Sequence, residues 1–163
     1  MPVIKGERFV EDRYVIVPDD VPIPGGTNPI VSLERFQKER DALLARSAPF
    51  GVGLKSGDNP QVLGDVLPKI ALVAIEFPTF RDGRGFSWAR MLRTRYGFKG
   101  EIRAIGHFLY DQLAFMVRTG FDAFEVRQDF REEDFARAMR EISFFYQPSA
   151  DGKKTIRDLR ASR

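Results

Sequence analysis

From Ile30 onward, short apolar runs alternate with amphipathic segments. The runs PIVSL, FGVGL, IALVAIEF, EIRAIG and DAFEVR read as strands. Four helical patterns separate them and a fifth follows the last. In ERFQKERDALLAR, Phe36, Arg40, Leu43 and Leu44 share a face, and Ser32 stands where a capping residue belongs. In GDNPQVLGDVLPKI, Asn59 is the cap, Pro60 the first helical residue, and Val62, Leu63, Val66 and Leu67 point inward. SWARMLRTRY buries Trp88, Met91, Leu92 and Tyr96 and stops at Gly97. HFLYDQLAFMVRTG buries Leu109, Leu113, Met116 and Val117 and stops at Gly120. REEDFARAMREISFFY turns Phe135, Ala138, Met139 and Ile142 inward.

Such alternation predicts an α/β fold: a mostly parallel open sheet of about five strands flanked by helices. IALVAIEF is apolar on both faces, as a strand covered by helices on both sides must be. Five units are too few for an eight-unit barrel. The alternative is a half-barrel that curls, or that pairs with a second copy as a homodimer. Residues 1–29 read as an arm and linker. PVIKGERFV is a β-hairpin about Lys5-Gly6, YVIV is a third short strand, and PDDVPIPGGTNP carries four prolines and two glycines. Residues 30–146 form the α/β domain and residues 147–163 a basic, flexible tail.

Composition narrows the chemistry. The chain has no cysteine and one histidine, which excludes thiolate metal sites, cysteine-ligated clusters and thiol catalysis. No metal centre is expected. No apolar run reaches the roughly 20 residues of a membrane helix, and the N-terminus lacks a signal-peptide pattern, so a cytoplasmic protein is expected. The formal charge of +3 arises in residues 147–163, with five basic and two acidic side chains. That is a weak footprint, and nucleic acid is not an expected partner.

In parallel α/β folds, ligands bind at the carboxyl ends of the strands. There the loop RDGRGFS places Arg81, Gly83, Arg84, Gly85 and Ser87 before a helix, with Arg103 on the next strand. Free amides at a helix start, glycines that let backbone come close, and bidentate guanidinium donors together make an anion site. From Arg81 to Arg103 there are seven basic residues against two acidic ones. The competing reading is structural: Asp82-Gly83 and Arg84-Gly85 are ordinary turn residues, Arg81 pairs with Asp82 or Glu76, and Arg90, Arg93 and Arg95 are a solvated helix face. Two weaker candidates for catalysis are His107, which Asp111 one turn later can orient, and Glu76, a carboxylate ending an apolar strand. The GRG spacing matches neither the dinucleotide fingerprint nor the phosphate loop, so no cofactor is expected.

The segment from EFPTFRDGRGFSWARMLRTRYG through GFDAFEV, with IVSLERFQKERDALLAR and MPVIKGERFVED upstream, closely resembles the bacterial domain of unknown function 934 family. The resemblance covers about residues 1–147, and DGRG and GFDAFE are its most specific stretches. Members are described as oxidoreductases linked to sulfite reduction, a description that rests on gene neighbourhood; no catalytic residues are assigned to the family. The resemblance therefore implies a role in assimilatory sulfate or sulfite reduction. Without cysteine, this chain cannot ligate the cluster beside siroheme or reduce a sulfonucleotide through a thiol. The expectation is an accessory protein that binds a small oxyanion, sulfite reductase or another sulfur-assimilation enzyme. One alternative is a small oxidoreductase or other enzyme using Glu76, Arg84, Arg103 and His107; the other is a non-catalytic scaffold.

Overall fold

A computed structural model describes residues 1–141, 145 and 147–161. Every strand expected from the apolar runs is present. The strands are β1 (Val3–Lys5), β2 (Arg8–Val10), β3 (Tyr14–Ile16), β4 (Asn28–Ser32), β5 (Gly51–Leu54), β6 (Leu72–Phe77), β7 (Glu101–Gly106) and β8 (Ala123–Glu125). The helices are α1 (Leu33–Lys38), α2 (Arg40–Leu44), α3 (Arg84–Thr94), α4 (Leu113–Thr119), α5 (Glu132–Glu141) and α6 (Ile156–Ala161).

All eight strands join one sheet in the order β2-β1-β8-β7-β6-β5-β4-β3. The expectation of about five strands is corrected because the N-terminal segment extends the sheet at both ends. β1 pairs antiparallel with β8, Ile4 opposite Phe124, and β3 pairs parallel with β4. From β3 to β8 the strands are parallel and lie in chain order. An order that never reverses, with right-handed crossovers, puts every connecting helix on the same face. The main core lies there: Val31, Val52, Val73, Ile75, Ile102 and Phe124 meet Phe36, Leu43, Leu92, Met116 and Phe135 from the helices. The other face has its own small cluster of Ile30, Leu72 and Ala74, against Tyr14 and Ile105, and contains no helical residue. β6 is thus buried on both faces as expected, but helices cover only one of them.

Curling of the sheet covers the other. Seven inter-strand steps of about 4.8 Å would hold the edge strands of a flat sheet roughly 34 Å apart. Yet β2 and β3 are joined only by Glu11–Arg13, a link whose full reach from Val10 to Tyr14 is about 14 Å. The sheet must bend until its two edges approach, and the curled alternative, a half-barrel, is the architecture observed.

Side chains on the concave face hold the bend. Arg103, on β7, is 3% exposed. Its Nη1 donates to Asp12 Oδ2 at 2.8 Å, across the mouth of the curl, and its Nε donates to Glu101 Oε1 at 2.8 Å. The Tyr14 ring lies 5.7 Å from its guanidinium carbon, and Lys5 Nζ donates to Glu101 Oε2 at 2.9 Å. Strand β1, next to one edge of the sheet, and β3, at the other edge, therefore share one cluster with β7.

Three further expectations change. GDNPQVLGDVLPKI forms two short 3-10 turns, Pro60–Leu63 and Leu67–Lys69, rather than one α-helix. Gly64 and Pro68 both disfavour continuation. Asn59 still caps, accepting from the Gln61 amide at 3.0 Å, but Val62 is exposed. The helix expected from His107 begins at Leu113, and Leu109 is exposed. Part of the C-terminal segment is anchored rather than free: Arg118 Nε donates to Asp151 at 3.0 Å, Ser149 Oγ donates to the Arg118 carbonyl at 2.6 Å, and Thr155 is buried. The inward placement expected for Ile142 and the basic charge of Arg163 fall outside the described residues.

Candidate functional site

The carboxyl ends of the parallel strands carry two cavities. The larger, about 710 Å³, lies between the segments that follow β7 and β8, with Phe80 from the β6–α3 loop and Arg137 from α5 on its walls. Gly106 ends β7 with φ +89°, and a Cβ there would sit 2.5 Å from the Phe77 carbonyl oxygen. Only glycine fits that close approach. The turn lets the His107 amide donate to Phe77 O at 2.7 Å and leaves the His107 side chain exposed in the cleft. Gln112 braces the rim, accepting from the Leu109 amide at 3.0 Å and donating to the Phe80 carbonyl at 2.9 Å.

Most charges in this cleft are already paired. Arg127 binds Asp129 at 2.8 Å. Arg137 binds Asp134 at 3.0 Å and donates to the Tyr110 hydroxyl at 3.1 Å. Tyr110 donates onward to Glu141 at 3.0 Å. Asp134 is held below the usual carboxylate range, first by its hydrogen bond with Arg131. His107 and Glu125 are different: among the described residues, no hydrogen bond or ion pair engages either side chain. The expected His107–Asp111 pair does not form, because residues 107–109 are irregular rather than helical.

The smaller cavity, about 210 Å³, opens on the concave face at the ends of β4, β5 and β6 and includes Glu76, Lys55, Gly53, Ile16, Ile30 and Ile105.

The loop expected to hold an anion has another arrangement. Arg84 forks onto Asp82, Nε to Oδ1 at 3.0 Å and Nη2 to Oδ2 at 2.7 Å. Asp82 also accepts from the Arg84 amide at 3.1 Å and from the Ser56 hydroxyl. The carboxylate of Asp82 thus occupies the position at the start of α3 that an external anion would take. Its pKa lies far below the ordinary value, chiefly through Arg84 and then Ser56. Gly85 is buried, and a Cβ there would meet the Phe77 ring at 2.7 Å, so this glycine serves packing. Gly83 and Ser87 are exposed. Arg103 is committed to the concave cluster. Of the expected cations, only Arg81 has no carboxylate partner among the described residues; its guanidinium carbon lies 5.4 Å from the Phe80 ring centre, beside the large cleft. Nor do Glu76, Arg84, Arg103 and His107 meet in one constellation: Glu76 faces the small cavity and His107 the large one.

The sequence pattern alone places Arg93 on a solvated helix face. Instead it donates to the carbonyls of Gly120 at 2.9 Å, Phe98 at 2.8 Å and Gly100 at 2.7 Å, and pairs with Asp122 at 3.0 Å. The two glycine-containing turns around it were the available signal, since each leaves carbonyls that need a donor.

Fold and clefts together define an α/β half-barrel whose two cavities lie at the strand carboxyl ends. A family model described as a bacterial protein of unknown function, DUF934, matches residues 51–157. The chain belongs to that family. No curated protein and no solved structure matches it. Among the described residues, no helix is long and apolar enough to cross a membrane, and no group of three or more His, Cys, Asp or Glu side chains is placed to hold a metal ion.

Proposed function

We propose that this chain is a cytoplasmic accessory protein of assimilatory sulfate or sulfite reduction, and that it binds an oxyanion or an acidic surface of sulfite reductase at the large cleft. The observation that carries the reading is the pair of cationic or protonatable groups left without carboxylate partners beside that cleft, Arg81 against Phe80 and His107 after β7. Clefts of several hundred Å³ at strand carboxyl ends are the usual ligand sites of parallel α/β folds. The remaining arginines at the cleft are internally neutralised, which favours weak, selective anion binding over a broad positive field.

The test is calorimetric titration of the purified protein with sulfite and sulfate, together with surface plasmon resonance against purified sulfite reductase. Wild-type protein should bind at least one of these partners, and a combined Arg81→Ala and His107→Ala variant should lose about tenfold or more in affinity, since a hydrogen bond to a charged group is worth roughly 1.5–3 kcal/mol. An absence of binding to all three would reject the reading.

A further inference from the structure

The small cavity on the concave face points to a second ligand. Its walls combine three features that internal packing does not account for. Glu76, next to last in the central strand β6, is half-buried, with no hydrogen-bonding or ionic partner among the described residues. Lys55 follows β5 one step beyond the Leu54–Ile75 register pair, so it stands beside Glu76 on the neighbouring strand. The two line the same cavity without forming an ion pair, and Lys55 makes none with another described residue. Opposite charges that share a cavity wall without pairing are placed to be satisfied by one molecule that carries both signs.

The third feature is Gly53, on β5. A Cβ there would meet only Val31 O at 3.6 Å and Ile30 Cγ2 at 3.7 Å, ordinary contacts. By contrast, a Cβ at Gly51 on the same strand would press against Leu72 at 2.9 Å. Packing thus requires glycine at 51 and not at 53. A glycine inside a strand weakens it, and one reason to keep it there is the close approach of a ligand. Around it, Ile30 is buried, whereas Ile16 is 55% exposed and Ile105 half-buried, leaving an apolar wall partly open to water. Ser32 is already used, donating to Asp19 at 2.7 Å.

We propose that this cavity binds a small apolar α-amino acid. Its ammonium group meets the Glu76 carboxylate, its carboxylate meets the Lys55 ammonium, and its side chain covers Ile16 and Ile105 over Gly53. The volume of about 210 Å³ suits a molecule of this size and not a nucleotide. The site is separate from the large cleft, so it stands or falls independently of the sulfite reading.

The experiment is calorimetric titration of the full chain with L-valine, L-leucine and L-methionine, then with isopentylamine and 4-methylpentanoate, which keep the apolar body of leucine but lack its carboxylate or its ammonium. At least one amino acid should bind. Both leucine fragments should bind about tenfold or more weakly than leucine, and Glu76→Gln and Lys55→Met should each weaken the amino acid by a similar factor. Gly53→Val, which fills the cavity, should abolish binding, whereas Gly53→Ala should keep the fold and weaken it. Binding of no amino acid overturns the proposal. Equal binding of amine and amino acid overturns it too, as does binding unchanged in Glu76→Gln. Any sulfite or reductase binding at the large cleft should persist in Glu76→Gln, which separates failure here from failure there.

Discussion

Removing Arg103 should loosen the curl of the sheet. Its side chain is 3% exposed, and it bridges Asp12, in the link between the two edge strands, to Glu101 on its own strand. Deleting one member of a buried ion pair typically costs about 3–5 kcal/mol, because the other charge is left unpaired. Here the lower end applies. Glu101 keeps Lys5 at 2.9 Å, and Asp12, at 29% exposure, can regain water. Arg103→Ala should therefore destabilise the fold by about 3 kcal/mol, roughly a 160-fold shift in the unfolding equilibrium. Asp12→Ala removes one charge-assisted hydrogen bond from a partner that retains Glu101, together with the exposed bond that Asp12 Oδ1 accepts from the Tyr14 amide at 3.1 Å, and should cost about 1.5 kcal/mol. If the two act as one latch, the double variant should cost about 3 kcal/mol rather than the sum, a coupling of about 1.5 kcal/mol. Urea unfolding of the four proteins, with amide exchange at Val15 and Ile16, measures this directly. Costs that add to within about 0.5 kcal/mol would refute the latch, and so would β3 amides as protected in Asp12→Ala as in the parent.

Three further outcomes are expected. In alkali, Tyr14 is held above its ordinary value of 10.0, first by burial, and Lys5 above 10.5, first by its hydrogen bond with Glu101. Both bind their protons more tightly when folded, so the stability they contribute is full below those ordinary values and is lost as pH rises through the higher folded ones. Urea midpoints should thus fall above about pH 10, and less steeply in Tyr14→Phe; an equal slope would contradict the placement of Tyr14. Arg84→Ala should leave oxyanion affinity unchanged, because Arg84 is committed to Asp82. It should also move acid unfolding to higher pH, because the depressed Asp82 pKa stabilises the fold above 3.8 and that contribution is lost as pH falls through the folded value. Arg93→Lys cannot reproduce a fork that serves three carbonyls and Asp122, and should cost about 3 kcal/mol in thermal or urea unfolding; a cost within 0.5 kcal/mol, as roughly expected of a surface residue, would return Arg93 to the solvated face.

Much of the architecture was legible because strands and helices announce themselves by period. IALVAIEF and EIRAIG have no competing reading, and Gly97 and Gly120, at φ +62° and +119°, occupy the left-handed positions that their place in the pattern implies. What the pattern could not convey was strand order. The apolar faces of β6 are equally consistent with helices on two sides and with a sheet that closes on itself. The deciding fact, a three-residue link between edge strands, depends on long-range pairing of Ile4 with Phe124. The arrangement of the arginine loop was hidden for a related reason. Its arginines were visible, but whether Asp82 would turn inward onto Arg84 depends on Ser56, 26 residues away in the chain. Glu76 and His107 were identified as unusual residues, and the structure separates them into two cavities.

The pairing of β1 with β8 also sets a timetable. Strand β1 has its hairpin partner β2 at once, but it can find β8 only after Glu125 has left the ribosome, and the Asp12–Arg103 contact waits almost as long. Sheets that depend on such distant partners assemble slowly and expose their edges meanwhile. The nascent hairpin of β1 and β2, with Phe9 and Val10 still 40% exposed in the finished fold, accordingly presents an open strand edge through most of synthesis.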